Sequence, residues 1–262
     1  MDWGYKAMLT TVTVGLVLLA AQAFGRRLAG TLSGLPVIAA PALLWVGQDQ
    51  GAAVAATTAI GSIVSCGLSA VFALSYEWLS RRLRPLLALA GSLFVGGLLA
   101  MPMTLVSERL VPAMMLTLLL FGAVVHLLPR PGKRAGTPGR LRGQVLITAV
   151  TAGVVSVLVA HAAREVGPYW AGLLASLPII CAATLVHQHV TAMHLDLVSF
   201  LAGYVAGLFG KAVFALGFAL LATHHGVVPA LFVALVLGLV AATVATRGLK
   251  WLEQRHPALA DV

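Results

Sequence analysis

One lysine stands where a charge is expensive. Lys211 lies midway along the apolar run Gly203-Tyr-Val-Ala-Gly-Leu-Phe-Gly-Lys-Ala-Val-Phe. A cation at the centre of a bilayer costs roughly 2.5 kcal/mol or more, so such a residue normally faces a bundle interior or a cavity. Gly203, Gly207 and Gly210 thin one side of the same run and allow a neighbouring helix to approach. An amine held there could attract an anionic solute or serve as a proton-linked group. The plainer alternatives are a lysine that snorkels, which is hard at mid-span, or one kept neutral in the core.

Two prolines form the second candidate. Pro36 and Pro178 each interrupt an apolar stretch beside small residues, Ser33 and Gly34 in the first and Ser176 in the second. Proline removes a backbone donor and frees a carbonyl one turn earlier. In lipid those groups must find partners, so broken helices line cavities or pack inside protein. A substrate site at the paired breaks would use Ser33, Gly34, Pro36, Ser176 and Pro178, with Lys211 and the hydroxyl of Tyr204 facing them. The alternative is two kinked helices with no ligand. Pro41 is expected to add a second break to the first segment.

Other reactive residues point less far. His187, His189, His194 and Asp196 fall in one loop whose spacing would serve a metal. Histidines at a membrane surface are common, however, and the expectation is no metal and no cofactor. Cys66 and Cys181 sit in apolar runs without ligand or CxxC spacing and read as packing residues. No nucleophile has a paired base at a motif spacing, there is no phosphate loop, and no catalytic residue or enzyme activity is expected.

The elements that must position these residues follow from composition. Apolar residues make up 60% of the 262, charged residues 10%, and mean hydropathy is +0.99. A soluble domain carries about a quarter charged residues. Apolar runs near membrane-spanning length recur throughout, giving an all-α polytopic membrane protein. Nine transmembrane helices are predicted, at about 5–24, 28–47, 52–79, 85–104, 110–128, 144–163, 168–187, 195–222 and 227–246. The start, Met1-Asp2, is not a basic leader and no cleavable signal peptide is expected.

Charge orients this arrangement. Thirteen of the 17 lysines and arginines fall on the loops after the first, third, fifth and seventh helices and on the C-terminus; only Lys6, Arg109 and Arg164 fall on the other side. The positive-inside rule then places the N-terminus in the periplasm and the C-terminus in the cytoplasm. The net charge of +9 is a consequence of these loops, and nucleic acid is not expected as a partner.

The chain also repeats itself. Residues 28–76 align without a gap on 170–218, an offset of 142, with 14 of 49 positions identical. This composition would give roughly a tenth by chance. The division is repeat one at 1–107, a linking helix and basic cytoplasmic loop at 108–143, repeat two at 144–250 and a cytoplasmic tail at 251–262. An odd number of helices separates the repeat starts, so the two four-helix repeats have inverted topology, a common basis of alternating access. The equivalent of Lys211 is Ser69, so the halves are not chemically symmetric.

Some of these residues carry a resemblance. Leu28-Ala-Gly-Thr-Leu-Ser-Gly-Leu-Pro-Val, then Leu43-Leu-Trp-Val-Gly-Gln-Asp-Gln-Gly-Ala, resembles the GlpM-like family of small bacterial inner-membrane proteins. That family's pattern falls on Ala29-Gly30, Pro36, Gly47 and Gln48-Asp49-Gln50; the second half keeps Ala171-Gly172 and Pro178 but has His189 in place of the glycine. The resemblance implies the bacterial inner membrane and a link to envelope polysaccharide production. The paired four-helix architecture is also similar to small drug/metabolite transporters, although the glutamate of their first helix is missing here.

The reading that joins these points is a secondary transporter of a small anionic or zwitterionic solute, with the lipid bilayer as its other partner and a homodimer allowed. The alternatives are a non-transporting accessory protein of envelope polysaccharide synthesis and a lipid-carrier flippase.

Overall fold

A computed structural model describes residues 3–21, 31, 33–102, 109–129, 142–175, 178, 181–182, 185–186, 189 and 194–255. Among them lie nine helices: α1 (Trp3–Ala21), α2 (Ala39–Gln50), α3 (Ala52–Ser80), α4 (Pro85–Ala100), α5 (Leu110–Leu127), α6 (Arg142–Glu165), α7 (Pro168–Ala175), α8 (His194–His225) and α9 (Val227–Arg255). Five segments are long and apolar enough to cross a bilayer: α3, Pro85–Pro102, α5, Leu197–His225 and Val227–Leu249. This is the pattern of an all-α, multi-pass membrane protein.

Glycine sets three of the tight connections. Gly51, Gly167 and Gly226 have φ of 94°, 95° and 83° and join α2 to α3, α6 to α7 and α8 to α9. A side chain is disfavoured in that region, so glycine ends one helix and lets the next fold back after a single residue or two. All three connections lie at one end of the bundle. Lys6 of α1 reaches Asp49 of α2 there, Trp3 lies edge-to-face with His161 of α6, and a Cβ on Gly47 would meet Val227 of α9.

The core sits around α3 and α8, which pack along each other. In their most apolar windows α3 is 78% buried and α8 56%, whereas α4 is 11% and α5 22%. The outer helices instead expose Leu86, Phe94, Leu119 and Phe232. Apolar surface on that scale needs a hydrocarbon solvent, not water.

Both proline interruptions are visible. Residues 31, 33 and 34 are helical, 35–38 are not, and α2 restarts at Ala39. The backbone N–H of Val37 donates to Leu35 O at 2.7 Å, and that of Ala40 to Pro36 O at 2.9 Å, closing the turn and opening the new helix. Pro41 does not add the second break expected of it. It falls in the first turn of α2, where a helix has no use for the missing N–H. In the second half α7 ends at Ala175, Pro178 is non-helical, and the Ala182 N–H donates to Pro178 O at 2.7 Å.

Each broken segment crosses a core helix at a pair of glycines. A Cβ on Gly34 would collide with the Tyr204 carbonyl oxygen and come within 2.7 Å of Leu208 N; one on Gly207 would strike Thr31 O and lie 2.9 Å from Gly34 Cα. The second crossing matches. A Cβ on Gly61 would strike Tyr169 O, and one on Gly172 would strike Thr58 O and approach Ser62 N to 2.8 Å. Backbone meets backbone at both points, which only glycine allows.

Gly172→Val is therefore expected to destabilise the fold by about 2 kcal/mol or more, since the colliding atoms are backbone and cannot rotate away. Gly97→Ala has open space around it and should be neutral or slightly stabilising. Unfolding of the purified protein in mixed micelles reads both; equal behaviour of the two variants would refute the crossing.

Candidate functional site

Polar residues collect on the face of α3 that meets α7 and α8. Ser62, Ser65, Cys66 and Ser69 are all buried, at spacings that keep them on neighbouring turns of one helix side. Two of them serve the second break. Ser62 Oγ donates to Gly172 O at 3.2 Å and Ser65 Oγ to Leu173 O at 3.0 Å. These are carbonyls of the last described turn of α7, the kind that side chains cap where a helix ends. Thr117 of α5 does the same for α3 itself, donating to Ile63 O at 3.0 Å. Thr58, by contrast, turns its hydroxyl back onto Val54 O of its own helix at 2.9 Å.

Deeper along the same interface the partners come from α8. Lys211 is 7% exposed and lies near Cys66 across the α3–α8 contact. The ion pairs among the described side chains join Lys6, Arg81 and Arg164 to Asp49 and Glu77, and none involves Lys211. Two turns away on α8, the buried Tyr204 hydroxyl lies near Ser69 and Cys181. The row continues to the Tyr76 hydroxyl, 3.1 Å from His189 Nδ1. From Ser62 to Tyr76 it spans about 20 Å of α3, at 1.5 Å per residue.

The predicted site residues divide on this background. Lys211 and Tyr204 share the α3–α8 interface, and Gly34 lies against the Tyr204 backbone. Gly34 serves the helix crossing and offers no open backbone. Ser33 is half-buried beside it, Pro36 is buried and Pro178 half-buried. Ser176 lies outside the described residues, as do His187 and the side chains of His194 and Asp196. Among the described residues no group of three His, Cys, Asp or Glu side chains could hold a metal ion.

Three features escaped sequence reasoning. The first is what lies beside the cysteines: both pack in the apolar core, as expected, but Cys66 also neighbours Lys211 and Cys181 neighbours Tyr204. The α3 serines cap a broken helix, which a search for hydroxyls near prolines could not locate because 110 residues separate Ser62 from Gly172. The third is a charge cluster at the bundle end. Lys6, 5% exposed, donates to Asp49 Oδ1 at 2.5 Å, and Arg164 lies 3.4 Å from the other carboxylate oxygen. Lys6 Nζ also stands 5.6 Å from the centre of the Trp45 ring, whose Nε1 donates to Thr10 Oγ1 at 3.1 Å. A signal existed: Lys6 and Arg164 are two of the three cations that sequence places on the less basic side.

No protein-family model, curated protein or solved structure matches this chain. The site must therefore be argued from its own chemistry.

Two stability changes of opposite sign follow. Lys211→Met removes a buried cation that no described carboxylate neutralises, and should leave the fold intact and about 1 kcal/mol or more stabler. Asp49→Asn strands the buried Lys6 ammonium and should cost about 3 kcal/mol. Both are read by unfolding in mixed micelles. A Lys211→Met protein less stable than wild type would make that lysine structural.

Proposed function

We propose that the chain is a secondary transporter of a small anionic or zwitterionic solute in the bacterial inner membrane. The observation that carries the reading is the Lys211 amine. It is buried at mid-helix, between two elements that also hold the broken segments, and no described carboxylate pairs with it. A buried cation without a fixed counter-ion is a natural place for the charge of a ligand. Around it stand neutral donors and acceptors suited to the rest of a small solute: Cys66, Ser69 and Tyr204.

The packing supports two inverted repeats over nine spans. Shifted by 142 residues, Gly172 corresponds to Gly30 and Gly61 to Gly203. The other glycine crossing, Gly34 on Gly207, lies four residues further along each partner, one helical turn. The first broken segment thus packs on the core helix of the second half, and the second broken segment on that of the first. In this reading the halves exchange their broken helices, the solute sits where they meet, and relative rocking alternates access. The exposed aromatic rings also fit a transmembrane placement, with Trp3, Tyr5 and Trp170 at one end and Trp78 and Trp251 at the other. By the positive-inside rule the Lys6 end faces the periplasm and the C-terminus the cytoplasm.

The test is a thermal-shift screen of the full chain in detergent against small carboxylates, phosphates, sulfonates and amino acids, followed by counterflow in proteoliposomes with each hit. At 100 times its dissociation constant an anion should stabilise wild type by about 2.7 kcal/mol. Lys211→Met should lose both the shift and the counterflow while keeping its fold. Hits that bind the variant equally well, or the absence of counterflow with every hit, would sink the transporter reading.

A further inference from the structure

A cavity lies away from the Lys211 site, on the flank of the bundle. It has a volume of about 350 Å3 and is walled by α1, by the Pro36 turn with α2, and by α9. The wall is apolar except for Thr10 and Thr13, and both hydroxyls are engaged: Thr13 donates to Leu9 O at 2.9 Å and Thr10 accepts the Trp45 indole. A polar solute gains nothing there. Leu9 and Leu239 on the rim are 40% and 52% exposed, and the surface around them continues with Val12, Leu16 and Val240. The opening is therefore sideways, at the depth where α9 meets lipid.

Length and charge narrow the occupant. From Leu231 to Leu239 the groove follows α9 for about 12 Å, close to one leaflet of a hydrocarbon core about 30 Å thick. Its upper end is Trp45 and Thr10. One turn beyond each, on the same helices, stand Asp49 and Lys6, with Arg164 alongside. Two cations, Lys6 and Arg164, stand at this end with Asp49 between them, and the exposed Glu165 follows Arg164 at the end of α6. Arg164 is the accessible one: its side chain is 45% exposed, and the single 3.4 Å contact to Asp49 leaves donors of its guanidinium for a further acceptor. Trp3, edge-to-face with His161 and half-exposed, marks the same end as headgroup depth.

We infer that this groove is a binding site for an anionic phospholipid, one acyl chain lying between α1, α2 and α9 and the phosphate meeting Arg164 beside Lys6. The site is independent of the Lys211 chemistry. The chain ends against Pro36, so its occupancy bears on the wall formed by the first break.

Native mass spectrometry of the full chain tests this, in micelles holding equal amounts of dioleoyl phosphatidylglycerol and dioleoyl phosphatidylcholine. These lipids share their chains and differ in headgroup charge. Wild type should retain phosphatidylglycerol about tenfold better, the worth of one charge-assisted hydrogen bond. Arg164→Gln should bring the two close to parity, and Leu235→Trp, which fills the groove, should remove both. A wild type that holds the two lipids equally, or an Arg164→Gln protein that keeps the preference, overturns the site. A polyisoprenyl phosphate that displaces phosphatidylglycerol overturns the assignment to a phospholipid. If the variants do not fold, wild type alone decides: a diazirine-chain phosphatidylglycerol should label peptides from 9–14, 35–45 and 231–239, and labelling spread evenly over α4 and α5 counts against the groove.

Discussion

Helices immersed in hydrocarbon gain nothing by hiding apolar side chains from water, because lipid tails are as apolar as leucine. What holds them is close approach, and here that approach is concentrated at two glycine pairs, Gly34 with Gly207 and Gly61 with Gly172. At both points two backbones touch with no side chain between them. The consequence is geometric. A broken segment is pressed onto α8, another onto α3, and the two core helices are fixed between them. The large aromatic residues of the interior, Phe72, Phe200 and Phe214, fill the space that remains on either side of these contacts.

The polar interior follows from that arrangement. Interrupting a helix in lipid leaves carbonyls that must be satisfied by protein. Because the second crossing brings α7 onto α3, the α3 serines lie within reach of those carbonyls, and Ser62 and Ser65 take them up. The same helix side continues to Cys66 and Ser69, which meet Lys211 and Tyr204 from α8. One interface therefore does two things. Near α7 it closes the backbone of a broken helix. Further along it gathers a cation, two thiols and two kinds of hydroxyl in a region where each is costly to bury without a partner. The cation has no equivalent in the other half, since Ser69 stands at the matching position.

Much of this was legible in the sequence, for reasons of local chemistry. The long apolar runs set the core helices closely: α3 spans Ala52–Ser80 against an expected 52–79, and α8 His194–His225 against 195–222. Proline predicted both interruptions because a missing N–H and a ring clash act within one turn. Pro41 misled because the same chemistry is harmless in a first turn, and whether a proline begins a helix or breaks one depends on where the preceding turn ended. α9 runs on to Arg255, past the expected 246, since a helix can leave the apolar layer and continue through residues such as Arg247 and Lys250. The partners were not legible. Asp49 meets Lys6 over 43 residues and Ser65 meets Leu173 over 108, distances at which periodicity carries no information. What lies beside the cysteines was hidden because an apolar run conceals which of its faces turns towards another polar helix.

The two ends of the bundle are tied by different forces. At the Lys6 end one carboxylate accepts charge from α1 and from α6 while standing on α2, so three helices share a charge-assisted contact, and Gln50 adds a bond from α2 to Ala160 O at 3.2 Å. At the other end the buried Glu77 accepts from Arg81 one turn further along α3. A neutral bond between the Tyr76 hydroxyl and His189 Nδ1 crosses between helical segments there. Ionic hydrogen bonds are roughly twice as strong as neutral ones. The Lys6 end is thus closed by charge-assisted contacts among three helices, and the polar row on α3 runs from beside that end towards Tyr76.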